Sequence, residues 1–245
     1  MIKTWMTPWL LMAVPFLGAT LSLLLRTSLQ RMKTSALLTT VASMLVVIGT
    51  PWALGDTLAG VPFLCLLPLT AFLSLLGQPL HRDNTSAWTT TLVLLGLGLG
   101  ILTAQAPVHD VMLLILPGLL CILLYRYQSG ATPETWRGLS AYGLSMMSAA
   151  LALVLPTPAS TVALLVTCAT LLPLLPVHSG FIATLTGLPG NLPAFLVFLL
   201  PTVGFHTLLM LLPNLTGTTL HTVAILALAG AVYGSLRALT QARPL

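Results

Sequence analysis

Very few side chains in this 245-residue chain can do acid–base chemistry: five histidines, four acids and nine basic residues. His206 lies in the middle of an apolar stretch, with Thr202 one helical turn before it on the same face. An imidazole titrates near neutrality, so His206 and Thr202 are the candidates for a proton relay. The blander reading is a neutral His206 hydrogen-bonded to a backbone carbonyl beside one of the prolines. His109 and Asp110 are adjacent at the start of another apolar stretch, and His221 and Asp56 occupy similar places. At such ends water and headgroups solvate polar groups, so His109, Asp110 and His221 are expected as outer-face polar residues. No Ser–His, H-E-x-x-H or paired-carboxylate arrangement occurs within the apolar stretches, and the chain is not expected to be an enzyme. Cys65, Cys121 and Cys168 lack C-x-x-C spacing and a neighbouring histidine cluster. They read as packing residues, with no disulfide, metal or cofactor implied.

The elements that must position these residues are set by hydropathy. Hydrophobic residues make up 57% of the chain and the mean hydropathy is +1.02. A hydrocarbon core about 30 Å thick takes roughly 20 apolar residues per crossing. About nine such spans are expected: Trp5–Leu25, Ser35–Leu54, Leu58–Gly77, Ala87–Ala104, Val108–Tyr127, Gly138–Leu155, Ser160–Leu175, Pro193–Leu212 and Thr218–Ala238. Lipid offers no partner for backbone polar groups, and strand-like alternation is absent, so the fold class is all-α: a polytopic transmembrane helix bundle. Met1–Leu25 reads as the first span rather than a signal peptide, because Arg26 follows the apolar run instead of preceding it.

Basic residues orient the bundle. Arg26, Arg31, Lys33, Arg82, Arg126, Arg137, Arg237 and Arg243 all fall on one side of this span pattern, and only Lys3 falls on the other. The expected topology is N-outside, C-inside. The same bias accounts for the formal charge of +5 without a nucleic-acid partner. Residues 1–245 form a single transmembrane domain with no soluble domain, since the longest polar stretch is Arg126–Arg137. Gly96, Gly98 and Gly100 give a small-residue face suited to close helix approach, not a phosphate loop.

One segment carries a motif. Pro173-Leu-Leu-Pro176-Val-His178 ends the seventh span, and Pro189-Gly-Asn-Leu-Pro193 leads into the eighth. Prolines there interrupt a helix and free carbonyls, as in discontinuous transporter helices. The stretch resembles the antiporter-like subunits of respiratory complex I, particularly the M-type subunit, and their relatives in Mrp antiporters, membrane-bound hydrogenases and inorganic-carbon pumps. Pro173, Pro176 and His178 fit the family's P-x-x-P-x-H motif and Pro189 fits the proline of the following loop. Leu211-Leu-Pro-Asn214 and Val232-Tyr-Gly-Ser235 continue the likeness, while the stretch Leu58–Leu155 carries no diagnostic residue. The resemblance implies a fold like the first nine or so helices of such a subunit, with the N-terminus outside.

The departures are as informative as the match. Relatives move protons with a Glu in the fifth helix, a Lys in the seventh and a Lys or His in the eighth. Here the seventh-helix position holds Leu171, the eighth-helix position holds Thr202, and Pro117–Leu119 offers no acid. Losing those charges removes the coupled titration on which such a switch depends. The resemblance therefore implies a charge-depleted subunit that docks with other membrane subunits of a complex I-like or related ion-coupled complex, with at most a weak proton relay. An alternative is the membrane subunit of an energy-coupled inorganic-carbon (CO2/bicarbonate) uptake complex, docking a zinc-containing soluble partner on its inner face. A second alternative is a stand-alone small-molecule transporter, although no inverted repeat or buried polar cluster is visible. The expected location is a bilayer, either a bacterial inner membrane or an organellar energy-coupling membrane.

Overall fold

The computed structural model describes residues 2–54, 61–81, 84–127, 133–172, 174 and 179–240. Every regular element among them is helical. In order they are α1 (Ile2–Leu24), α2 (Leu29–Leu54), α3 (Val61–Gly77), α4 (Thr85–Thr103), α5 (Val108–Tyr127), α6 (Pro133–Val154), α7 (Ala159–Leu171), α8 (Ser179–Gly187), α9 (Leu192–Leu211) and α10 (Gly217–Thr240). Among the described residues, four segments are long and apolar enough to cross a membrane: Leu29–Thr50, Thr85–Thr103, Val108–Tyr127 and Leu192–Asn214. The outward faces are apolar as well, with Leu17, Leu38, Leu45, Met147 and Leu151 exposed. A surface of this kind has lipid as its natural solvent, and the chain is a membrane protein.

Many hydroxyls inside these helices are satisfied locally. Thr39 donates to Ser35 O, Ser43 to Thr39 O and Thr91 to Ala87 O, each at 2.8 Å. This back-bonding to the preceding turn lets these three residues sit in apolar surroundings without an orphaned group, whereas the buried hydroxyls of Ser22, Ser35 and Ser145 have no partner in the protein.

α4 is the axle of the bundle, and its glycines explain how four neighbours reach it. A Cβ at Gly96 would meet the Phe16 ring of α1 at 3.3 Å. At Gly98 it would lie 2.5 Å from Leu199 of α9 and 2.8 Å from Leu67 of α3. At Gly100 it would lie 2.6 Å from the sulfur of Met12 and 2.7 Å from that of Met112 of α5. Gly96 and Gly100 thus admit α1, Gly98 admits α3 and α9, and Gly100 also admits α5, which is the close-approach role that small residues play in membranes.

Two helices begin well before hydropathy alone marks them. α2 starts at Leu29 rather than Ser35, and α6 at Pro133 rather than Gly138. Gln30, Arg31, Lys33, Thr135 and Arg137 are compatible with helix but not with hydrocarbon, so hydropathy stops where the backbone does not.

The larger difference lies after α7. The expected seventh span reaches Leu175 and a plain loop follows, whereas α7 ends at Leu171 and a second short helix, α8, occupies 179–187. Leu172 is extended, with ψ 136°, as sterics require of a residue preceding proline. Along α6, Thr167 of α7 faces Ser148, with the two hydroxyl oxygens 2.8 Å apart. Further back on α6, Gly180 of α8 packs on Ala141 and Tyr142, and Gly138 packs on Ala183. Rising numbers on α7 and α8 therefore meet falling numbers on α6. Both helices run antiparallel to it, one after the other. Thirteen and nine residues give helices of about 20 and 14 Å. In tandem they match the roughly 33 Å of the 22-residue α6.

The turn between α8 and α9 is fixed by Gly190, whose φ of +61° is a glycine conformation. Any side chain there would also strike the Gln78 amide. Ser74 of α3 clamps the turn by donating to Asn191 O at 2.7 Å. Pro193 then opens α9, where a missing N–H costs nothing.

Candidate functional site

The ionisable residues that the sequence separates come together at the start of α5 and the end of α9. His109 is 2% exposed although it is only the second residue of α5. Its Nδ1 lies 3.0 Å from Asp110 Oδ1, and its Nε2 lies 3.3 Å from Thr207 Oγ1 on α9. The Thr207 hydroxyl is also 2.9 Å from Val203 O, one turn back. The His206 ring stands beside this chain of contacts, its centroid 6.1 Å from that of His109 and its plane tilted by 55°. Asp110 sits in the first turn of α5, where the helix dipole favours a negative charge.

The Thr207 hydrogen decides which way the hydrogen bond to His109 runs. When it points to Val203 O, Thr207 can only accept from His109 Nε2. When it turns to Nε2, the ring is neutral and donates from Nδ1 to Asp110. The same distances satisfy the spacing of a nucleophile–base–acid set. Thr207, however, is 1% exposed and lies inside a packed helix. That burial does not suit attack on a substrate.

His109 thus differs from its expected place at the outer face: the end of α9 covers it. Asp110 keeps partial contact with the surface, and its side chain is 18% exposed. His221, on α10, is exposed and stands apart from the cluster. Thr202 donates to Phe198 O at 2.7 Å, so its hydroxyl is committed to its own helix and His206 has His109 as its ring neighbour. Pro189 lies in the α8–α9 turn, while Pro173, Pro176 and His178 fall outside the described residues. Thr207 was not legible as a partner: nothing local distinguishes it from its neighbours.

A second polar group follows the α6–α7–α8 seam. Ser148 and Thr167 share a hydrogen bond, Thr170 donates to Thr167 O at 2.7 Å, and Tyr142 meets Thr184 at 3.5 Å. Ser145 lies between these pairs, and its buried Oγ has no partner in the protein. The spacing of Ser145 with Ser148, and of Thr167 with Thr170, puts each pair on one helix face. That signal could have revealed the seam. Among the described residues no group of three or more His, Cys, Asp or Glu side chains is arranged to hold a metal ion, and the three cysteines are unpaired.

Among the described residues, fold and cluster together define an all-helical membrane protein whose apolar interior includes buried hydroxyls and one buried histidine, tied to an acid at a helix start. The chain matches no family model, no curated protein and no solved structure.

Proposed function

We propose that this chain is a charge-depleted, antiporter-like membrane subunit of a larger complex I-like or related ion-coupled membrane complex. In this reading it seats and seals active membrane partners and relays protons weakly at most. One observation carries the proposal. Among the described residues the buried polar set contains hydroxyls, the Gln78 and Asn84 amides and His109, but no Asp, Glu, Lys or Arg. Coupled pumping of the kind found in the family it resembles needs charges whose titrations push on one another. Leu171, fully buried at the end of α7, and Thr202, bonded to Phe198 O, occupy positions where that resemblance expects lysines.

The interruption between α7 and α8 supports the same reading, because it brackets the stretch holding Pro173, Pro176 and His178. We read α7 and α8 as two halves of one discontinuous crossing. Ten helices then make nine crossings, with the N-terminus outside and the C-terminus inside, in a bacterial inner membrane. α10 exposes Leu220, Ile225, Leu228 and Val232, an apolar face for a neighbouring membrane subunit.

Extraction from native membranes in mild detergent, with mass-spectrometric identification of what stays bound, tests the proposal. Redox subunits or full-length antiporter-like proteins are the expected companions. A zinc-containing soluble partner would replace this reading with an inorganic-carbon uptake complex. A chain that emerges alone would overturn the subunit reading in favour of a stand-alone carrier.

A further inference from the structure

Between α1 and α2 runs an open groove of about 950 Å³ whose two ends differ in chemistry. Near the turn that joins the helices its walls are Ser28, Arg31 and Thr34, and further along they are Leu17, Leu21 and Leu38. Arg31 is exposed and lies in the first turn of α2. No acidic side chain pairs with it among the described residues. The same turn presents the positive end of a 26-residue helix dipole. One turn deeper, Ser35 also lines the groove; it is 8% exposed and its Oγ has no partner in the protein. From Arg31 to Ala42, which also lines the groove, the helix rises about 16 Å.

We infer that this groove is a binding site for one anionic phospholipid. The phosphate lies against Arg31 and Ser28 at the helix start, and an acyl chain runs along Leu17, Leu21 and Leu38. The charge pattern selects this occupant. An apolar partner helix would cover the leucines but leave Arg31 and the α2 dipole without a counter-charge. A free phosphate would leave the apolar length unfilled. A basic pocket between membrane helices, set at the end of an apolar cleft, suits a lipid headgroup. The inference rests on the groove alone and does not depend on the subunit reading.

The test is native mass spectrometry of the full chain, taken from vesicles holding equal amounts of phosphatidylglycerol and phosphatidylcholine. The wild type is expected to retain phosphatidylglycerol over phosphatidylcholine. Arg31→Gln is expected to reduce that retention about fivefold, the worth of one basic residue near a membrane surface. Arg126→Gln, at an exposed basic residue outside the groove, is expected to retain lipid as the wild type does. Ala42→Trp, which blocks the apolar end, should reduce retained lipid of either kind. Equal retention of the two lipids by the wild type would overturn the inference. So would unchanged phosphatidylglycerol retention in Arg31→Gln, or unaltered lipid retention in Ala42→Trp.

Discussion

His109 Nε2 and Thr207 Oγ1 meet at 3.3 Å although 98 positions separate the two residues in the chain. The contact ties the first turn of α5 to the last turn and a half of α9, and it is buried on both sides. Because α9 also packs on α4 through Leu199 and Gly98, the histidine is held by a helix that the bundle centre itself fixes.

Thr207→Val keeps the shape of the side chain and removes its hydroxyl, leaving His109 Nε2 buried without a partner. The expected loss is about 1–3 kcal/mol, read as a lower midpoint in thermal unfolding of the detergent-solubilised protein. Thr207→Ser keeps the hydroxyl and should recover most of the loss. Equal melting of the valine variant and the wild type would show that the contact carries no stability.

His206→Ala separates relay from packing. His206 touches the cluster through a ring contact 6.1 Å between centroids, too far for direct proton exchange with His109. In the proposed complex, proton flux should therefore stay within about twofold of wild type, a barrier change below roughly 0.5 kcal/mol. A tenfold fall would make His206 a relay residue.

Helix existence was legible because hydrophobic length is a local property, and Val108–Tyr127 has the bounds that hydropathy marks. The association of His109 with His206 was not, because it joins the fifth and ninth helices and nothing in either segment points to the other. α8 was hidden for a different reason: nine residues are too few to span a bilayer, so Ser179–Gly187 reads as loop when length is the criterion. The extended Leu172 was foreseeable from Pro173 alone. That α7 and α8 both follow α6 was not foreseeable, since it depends on Gly138 and Gly180 admitting the opposite helix.

Two glycines should respond in opposite ways to the same substitution. A Cβ at Gly204 would meet Leu172 Cγ at 2.9 Å, and Leu171 Cβ and the Leu172 nitrogen at 3.2 Å. Atoms so close to the backbone cannot rotate aside, and Gly204→Ala should destabilise by about 1–3 kcal/mol. Gly143, within α6, has nothing within 4 Å of its would-be Cβ. There alanine gains helix propensity, and stability should rise by up to about 1 kcal/mol. Thermal unfolding of the two variants beside the wild type decides the matter, and a shift of the same sign in both would contradict the packing of α7 on α9.

Lys33 caps α3 from a neighbouring helix. Its Nζ donates to Leu76 O at 3.1 Å and to Gln78 O, carbonyls at the end of α3 that have no later helical partner. A cation at a helix C-terminus is worth about 0.3–1 kcal/mol, more where partly buried. Lys33→Met should therefore lower the unfolding midpoint, and Lys33→Arg should lower it less. Hydrogen exchange at the last turn of α3 gives a local readout, where the methionine variant is expected to lose protection first.

Ser145 offers the sharpest question about the α6–α7–α8 seam. Its Oγ is buried without a partner in the protein, whereas Ser148, one turn on, shares its hydrogen bond with Thr167 at 2.8 Å. If the seam is dry, Ser145→Ala removes an unmet polar group and stabilises the protein, while Ser148→Ala costs about 1 kcal/mol. If the seam is wet, the Ser145 hydroxyl is water-bonded and its alanine variant destabilises like that of Ser148. The second outcome would bear on function, because the seam passes the end of α7, where Leu171 is buried and carries no charge. Protons could pass that point only along water and hydroxyls, and a dry seam closes this route whatever the histidines do. Thermal unfolding of the two alanine variants therefore decides between a sealed subunit, the expected result, and one with a water-filled path beside α7.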